Sequence, residues 1–455
     1  MMRDKHNFAG YVEYLGDEYF CTVNDYTVKM FNKSNSESLL REQYSSKKAE
    51  YISGTSEKNC SFAVLMPKGV SYNPFHDFFT RFSFGTYILV EGKQSVPDIS
   101  RFDGLEFYGE TINKIFNPRQ AVDHSLSSKH AHDIGLKFRP SSEYSKEFEI
   151  EVDNQKAKIE YGVRWNISLA EQKNQDGSIA LGSLDSVVRT KFESEQTLDI
   201  LERYWQIFNN LSVFFAGRRN VDFGVRLLRK KESDLVTHIA ECSFNRLAED
   251  IYNGNRMATI QIDDLGDSIA KLFELFANEE TRPLLDFLPE NNKVADKIYY
   301  ANVSDICTTA EREFELNKQK TKSTKLVEQL YKRLNNEIKE FRKIQVTKEE
   351  KNDKVFDVAF GAIKYIKSSL KDRIYLLYVN SLPTQNVDLE EVSIKNEIYN
   401  FVDLRNGIQH TGIGVWGDNG KFFVKLRKIL YINILLRAEV DKSSAIRIVE
   451  RKWGK

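Results

Sequence analysis

Residues 399–412 read YNFVDLRNGIQHTG, and within them Arg405, Asn406 and His410 form an R-N-x-x-x-H signature. The surrounding spacing is helical. Ile394, Ile398, Phe401, Val402 and Ile408 recur so as to define one apolar stripe. At about 100° per residue, Arg405 returns to the stripe that Ile394 begins. An arginine there cannot shed its charge, so it requires a carboxylate, carbonyl groups or a ligand phosphate. Asn406 and His410, four positions apart, share a face, which places the amide to orient the imidazole. Arg405 and His410 lie roughly 140° apart on an ideal helix. They converge only through the reach of the arginine, a bend at Gly407, or a symmetry mate.

Working outward, the chain from about 293 onward is helical in period. Val303, Ile306, Ala310 and Phe314 mark a first helix. Leu326, Leu330, Leu334, Ile338 and Phe341 mark a second. A third runs from Val355 through Ala359, Ile363, Ile366, Leu370 and Ile374 to Leu377, and Ser381-Leu382-Pro383 breaks it. The signature helix, about 391–411, is the fourth. A fifth covers about 421–438, and a short helix starts near Ser443. Residues 1 to about 195 alternate instead. EYFCTVND, TVKMF, SFAVLMP, TRFSFGTYILVEG, LEFYGETI and LKFRP are rich in β-branched and aromatic residues and are separated by turn residues. KEFEIEV and KAKIEYGVRWNISLA flank Asp153-Asn154-Gln155, a hairpin signal. A helix is expected at about 197–216, stopped by Gly217. Strands in VDFGVRLL and DLVTHIAEC and a helical connector at about 265–289 follow. The expected fold is therefore α+β: a β-rich domain over 1–290 and an all-α bundle over 291–455, with the boundary near Pro289-Glu290-Asn291-Asn292.

The chain has 455 residues, with Lys+Arg and Asp+Glu both at 66. That zero sum excludes a uniformly basic protein but hides a division. Residues 301–455 hold 29 Lys+Arg and 21 Asp+Glu, a surplus of 8. Residues 1–300 hold 66 − 29 = 37 and 66 − 21 = 45, a deficit of 8. The densest basic run is Lys318, Lys320, Lys322, Lys325, Lys332 and Arg333, opposed by Glu328. It is either a solvated helix face or an electrostatic footprint for phosphates.

The helical part resembles the HEPN superfamily of metal-independent ribonucleases, and the whole is similar to the ApeA-type HEPN proteins of bacterial anti-phage defence. YNFVDLRNGIQHTG carries the signature. VSDICTTAEREFE at 303–315 looks like the first bundle helix, with Glu311 at the family's glutamate. YWQIFNNLSVFFAG at 204–217 looks like the helix before the last strands of the N-terminal domain. Gln409, just before His410, departs from the small residue more usual there. The resemblance implies a metal-independent endoribonuclease without cofactor, a toxic effector of abortive infection that cleaves RNA, tRNA among the candidates. The ribose 2′-OH would attack the adjacent phosphate. His410 would be general base or acid, Arg405 would hold the phosphate, and Asn406 would orient His410 or touch the phosphate. Glu311 would support Arg405 from behind, and Lys318, Lys320, Lys322 and Lys325 would bind RNA. A homodimer or higher oligomer is expected, with the N-terminal domain answering a phage-derived activator. The alternative is a non-catalytic HEPN-fold RNA-binding or dimerisation protein.

Other features point to nothing further. No run of some 18 apolar residues is present, and the opening MMRDKHNFAGYVEYL lacks a secretory signal core. No membrane association and a cytoplasmic location are therefore expected. Cys21, Cys60, Cys242 and Cys307 lie too far apart for a CxxC motif and are expected to be reduced thiols. Lys129-His130-Ala131-His132-Asp133 reads as a surface loop rather than a metal site. Arg218-Arg219 reads as a charge complement to a helix C-terminus. No metal site is expected.

Overall fold

The structure is a computed structural model. It describes residues 7–14, 17–24, 27–31, 51–65, 79–83, 88–95, 99–126, 134–166, 183–231, 236–244, 250, 252–254, 258–278, 285–317, 325–345, 347–351, 353–383, 391–412, 414 and 416–454. Its contacts divide the chain into Met1–Asp263 and Asp264–Lys455, ahead of the boundary near Pro289 read from sequence. The segment that follows Asp264 is tied to the C-terminal helices. Asp264 takes both guanidinium arms of Arg451, and Ser268 Oγ donates to the Glu439 carbonyl at 3.1 Å.

The first unit is an antiparallel sheet. Its strands are β1 (Phe8–Tyr14), β2 (Asp17–Asn24), β3 (Thr27–Phe31), β4 (Tyr51–Ser56), β5 (Ser61–Leu65), β6 (Phe79–Ser83) and β7 (Ile88–Gly92), then β8 (Arg101–Tyr108), with β9 (Val122–Leu126) and β10 (Ile134–Phe138) forming a separate pair. They continue as β11 (Lys146–Val152), β12 (Gln155–Asn166), β13 (Ser183–Thr197), β14 (Gly224–Lys230) and β15 (Val236–Phe244). The 13-stranded order is β11-β12-β13-β8-β14-β15-β7-β5-β4-β1-β2-β3-β6.

Local sequence explains the elements. Phe148, Ile150 and Val152 turn inward while Glu147, Glu149 and Glu151 are exposed. The β11–β12 hairpin closes on Asp153 and Asn154, whose φ angles of 52° and 64° suit the short polar side chains that tolerate a left-handed backbone. The stretch LEFYGETI divides at Gly109. The strand ends at Tyr108, Gly109 takes φ 128°, and α1 (Glu110–Ile115) begins. The long helix of this unit, α2 (Leu201–Ala216), stops at Gly217, whose N–H donates to Val213 O at 2.7 Å. It buries Leu201, Tyr204, Phe208, Leu211 and Phe215 against the sheet, with Phe208 stacked on Phe107 at 3.6 Å between ring centroids.

The opposite side of the sheet centre carries a row of charges in register. Glu160 pairs with Arg189, Arg189 with Glu106, Glu106 with Arg226, and Arg226 with Glu241, across β12, β13, β8, β14 and β15. Glu106 is fully buried at its middle. Arg164 at 2.6 Å, Arg189 at 3.0 Å, His238 at 3.2 Å and Arg226 at 3.5 Å surround its carboxylate. Arg226 also lies 3.8 Å from the centroid of the Tyr108 ring, which occupies the space a side chain at Gly224 would need.

The second unit is helical. After α3 (Ser268–Ala277), it comprises α4 (Tyr300–Leu316), α5 (Lys325–Ile344), α6 (Lys348–Lys351), α7 (Lys354–Lys367), α8 (Leu370–Ser381), α9 (Glu391–Thr411), α10 (Asn419–Arg437) and α11 (Lys442–Trp453). Helices α4, α8, α9, α10 and α11 form the packed bundle. Val303, Ile306, Ala310 and Phe314 of α4 are buried in it, as the spacing predicts. Two expectations differ. The helix drawn from Val355 to Leu377 is two helices, α7 and α8. Ser369 caps α8, accepting from Asp372 N at 3.3 Å while Asp372 Oδ2 accepts from Ser369 N at 3.0 Å. The Leu326-to-Phe341 helix forms, as α5, but it has no buried residue, because it packs on α7 rather than in the bundle. Among the described residues no helix is long and apolar enough to cross a membrane.

The Glu106 cluster sets an acid response. Burial alone would raise its carboxyl, but the hydrogen bond from His238 and the charges of Arg189 and Arg164 outweigh it and hold the group at about 2 against an ordinary 4.5. A depressed carboxyl stabilises the fold fully above its unfolded value and loses that contribution as pH falls through the folded one. Chemical denaturation between pH 7 and pH 2 should show about 3 kcal/mol of stability draining below pH 4.5. Glu106→Gln should be less stable at pH 7, and the part of the decline it shares with wild type should be smaller by that amount.

Candidate functional site

Helix α9 carries the signature, and its other faces hold it in place. Ile394, Ile398, Phe401, Val402 and Leu404 are buried, and Phe401 meets the Phe422 ring of α10 at 5.0 Å. Ile408, assigned to the core stripe from spacing, is half-buried, and Leu404 takes its place. Ion pairs fasten the flanks. Asp403 binds Lys371 of α8 at 2.9 Å, and Glu397 binds Lys425 of α10 at 3.1 Å. Asp403 is therefore the partner of Lys371 and not of Arg405.

The three signature residues sit in graded exposure. Arg405 and Asn406 are half-buried and His410 is exposed in the last turn. Arg405 Nη1 donates to Asn406 Oδ1 at 3.2 Å. Its Nε is buried with no hydrogen-bond partner. The Asn406 carbonyl oxygen therefore faces the guanidinium rather than the imidazole. Cys307 of α4 lies within the field of both Arg405 and Glu311. Burial pushes this thiol up to about 12, with Arg405 opposing the shift and Glu311 adding to it. Arg405 and Glu311 thus share a neighbour, but among the described residues no ion pair joins them.

The chain beyond His410 is pinned. Gly412 takes φ 71° and its N–H donates to Ile408 O at 3.0 Å, ending α9. Gly414 then lies so close to Leu404 that a Cβ there would stand 2.3 Å from its Cδ1. Tyr300, at the start of α4, donates its hydroxyl to Gly414 O at 3.1 Å and stacks on Trp416 at 5.3 Å. These contacts set where α9 ends relative to α4, and so where His410 stands.

A cavity of about 1160 Å³ opens on a neighbouring face of α9, lined by Asp403, Gly407, Thr411, Asp418 and Lys425 among others, but not by Arg405, Asn406 or His410. Of the basic run, Lys318, Lys320 and Lys322 lie outside the described residues, and Lys325 is exposed at the start of α5. The His130 and His132 pair also lies outside them. Among the described residues no group of three or more His, Cys, Asp or Glu side chains is placed to hold a metal ion. The four cysteines are free thiols.

Sequence reasoning missed the main ionic anchor of the bundle. Glu313, two residues beyond Glu311, is buried and takes a two-armed hydrogen bond from Arg437 of α10, at 2.7 and 2.9 Å, and one from Asn317 Nδ2 at 2.8 Å. Asn433 is likewise fully buried. It donates to the carbonyls of Leu377 and Ile429 at 3.0 and 2.8 Å and accepts from Asn380 at 2.7 Å. The signal available is a charge closing an apolar stretch, since Arg437 comes shortly after residues 429–435, all of which are buried.

The two glutamates of α4 should separate in a stability assay. Glu313→Ala strands a buried guanidinium and should cost about 3–5 kcal/mol. Glu311→Ala, at a half-buried position without an ion pair among the described residues, should cost under about 1 kcal/mol. Thermal unfolding of the two variants side by side measures this. Set against protein-family models, curated proteins and solved structures, the chain matches none of them.

Proposed function

We propose that the C-terminal unit is a metal-independent endoribonuclease of the HEPN kind, acting as the effector of an anti-phage defence whose N-terminal unit receives the activating signal. The observation that carries this is the graded set on α9: a half-buried guanidinium, a half-buried amide hydrogen-bonded to it, and an exposed imidazole at the helix end. A forked cation suits a phosphodiester, whose oxygens accept two parallel hydrogen bonds. An exposed imidazole can reach a ribose without rearrangement of the bundle. His410 takes the proton of the 2′-OH, the oxygen attacks phosphorus, and the bond to the 5′ oxygen breaks. The products are a 2′,3′-cyclic phosphate and a 5′-hydroxyl, the latter protonated by a second acid. In a homodimer the partner's copy of the same imidazole serves as that acid. Arg405 stabilises the charge that gathers on the phosphoryl oxygens.

A non-catalytic RNA-binding role draws support from one contact. Asn406 Oδ1 is taken by Arg405, so within a single chain it does not orient His410. In that case Arg405→Ala destabilises the bundle while His410→Ala changes nothing.

The experiment incubates purified protein with total RNA in EDTA, beside His410→Ala. Wild type should cleave, leaving cyclic-phosphate ends. His410→Ala should retain its melting temperature and lose about 100-fold or more in rate. Cleavage that requires added metal, or equal rates for the two proteins even with lysate of phage-infected cells present as the source of activator, would reject the mechanism.

A further inference from the structure

The positive surplus of the C-terminal part is concentrated away from α9. Residues 318–367 hold 14 Lys+Arg and 7 Asp+Glu, a net of 14 − 7 = +7, out of the surplus of 8 counted over 301–455. Helices α5 and α7 supply 6 − 3 = +3 and 3 − 1 = +2 of it, and α6 is neutral. Within this arm an open cavity of about 440 Å³ is lined by Lys339, Arg342, Lys343, Lys351 and Phe360. Four cations and one aromatic ring line it, and no carboxylate among the described residues does.

The acidic neighbours are turned to other work. Glu340 pairs with Lys343 at 3.0 Å. Glu350 closes the start of α6, accepting from Thr347 N at 3.0 Å while Thr347 Oγ1 accepts from Glu350 N at 3.1 Å. Arg342 is fixed in direction, since its Nε donates to the Lys351 carbonyl and its guanidinium lies 5.5 Å from the Phe356 ring centroid. Lys339 and Lys351 are exposed and make no ion pair among the described residues. Phe360 is half-buried.

We infer that this arm is a second RNA contact, distinct from the Arg405–His410 site, in which Lys339, Arg342, Lys343 and Lys351 take successive phosphates and Phe360 stacks an unpaired base. Concentrated cations without carboxylates fit a phosphodiester backbone. A recessed aromatic ring fits a base free of its partner, which a single strand offers and a duplex does not. The volume falls in the range of small-ligand sites. The inference rests on the ribonuclease proposal only in taking RNA as the strand, and binding is measured apart from cleavage.

The test uses full-length protein carrying His410→Ala, so that no cleavage intervenes, and fluorescence anisotropy with a labelled single-stranded RNA oligonucleotide. Lys339→Glu with Lys351→Glu should weaken binding at least tenfold and flatten its dependence on log salt by about one to two. Phe360→Leu should weaken it about tenfold with the salt slope unchanged. Lys93→Glu with Lys156→Glu makes the same charge change on exposed lysines of the first unit, and should stay within twofold of the parent. The site is overturned if the arm variant matches this control. It is also overturned if ATP at concentrations near that of the protein displaces the strand, which would mark a mononucleotide pocket. Loss of binding to vesicles of anionic phospholipid with RNA binding intact would assign the arm to a membrane surface instead.

Discussion

A charge withdrawn from water must meet an opposite charge at close range, and both units are organised around one that does. In the sheet it is Glu106, buried among Arg164, Arg189, Arg226 and His238. In the bundle it is Glu313, clasped by Arg437. Removing either partner would leave a bare charge in a medium that cannot solvate it, which makes each pair a condition of its unit's packing. Arg405 breaks this pattern. Its neighbours are an amide and a thiol pushed away from ionisation, and its Nε has no acceptor. Arg312 and Arg427 also bury an Nε that has no hydrogen-bond partner, so Arg405 is set apart by its amide partner and by the exposed imidazole that follows on the same helix.

The surroundings of α9 explain why this place is also well defined. Its apolar face is buried, one flank is held to α8 through Asp403 and Lys371, and another to α10 through Glu397 and Lys425. The close passage of Gly414 over Leu404, with Tyr300 and Trp416 clamping it, turns the chain immediately after the helix. His410 is exposed in the last turn of α9, one residue before the helix ends at Thr411.

Much of this is legible in the sequence. Alternation at Phe148–Val152 and the Asp153-Asn154 pair specify a hairpin, because side-chain direction along a strand and tolerance of positive φ are local properties. The three-and-four spacing of Val303, Ile306, Ala310 and Phe314 likewise specifies a buried helix face. What was hidden depends on partners far away in sequence. Spacing gives α5 an apolar side but not a neighbour, so nothing in it shows that Leu326, at 73% exposed, and Phe341, at 62%, stay outside the core. Glu311 and Glu313 sit about 200° apart on one helix, and only the position of α10 decides that the second meets an arginine. The serine pair that splits α7 from α8 was hidden by an apolar period that runs through it unbroken.

The distribution of charge then separates two tasks within the helical unit. Around α9 the carboxylates Glu397, Asp403 and Asp418 are each matched by Lys425, Lys371 and Lys421. The helix therefore presents little net charge beyond the guanidinium of Arg405. The uncompensated charge belongs to residues 318–367. At physiological ionic strength exposed charges are felt over roughly 8 Å. A surplus held on the arm therefore acts chiefly on phosphates that come into contact with it. For a strand to benefit from both, it must be long enough to touch both. The unit's affinity should then reside largely in one surface and its chemistry in another, so that a change in the arm alters how much RNA is held while leaving intact what is done to the phosphate that reaches Arg405.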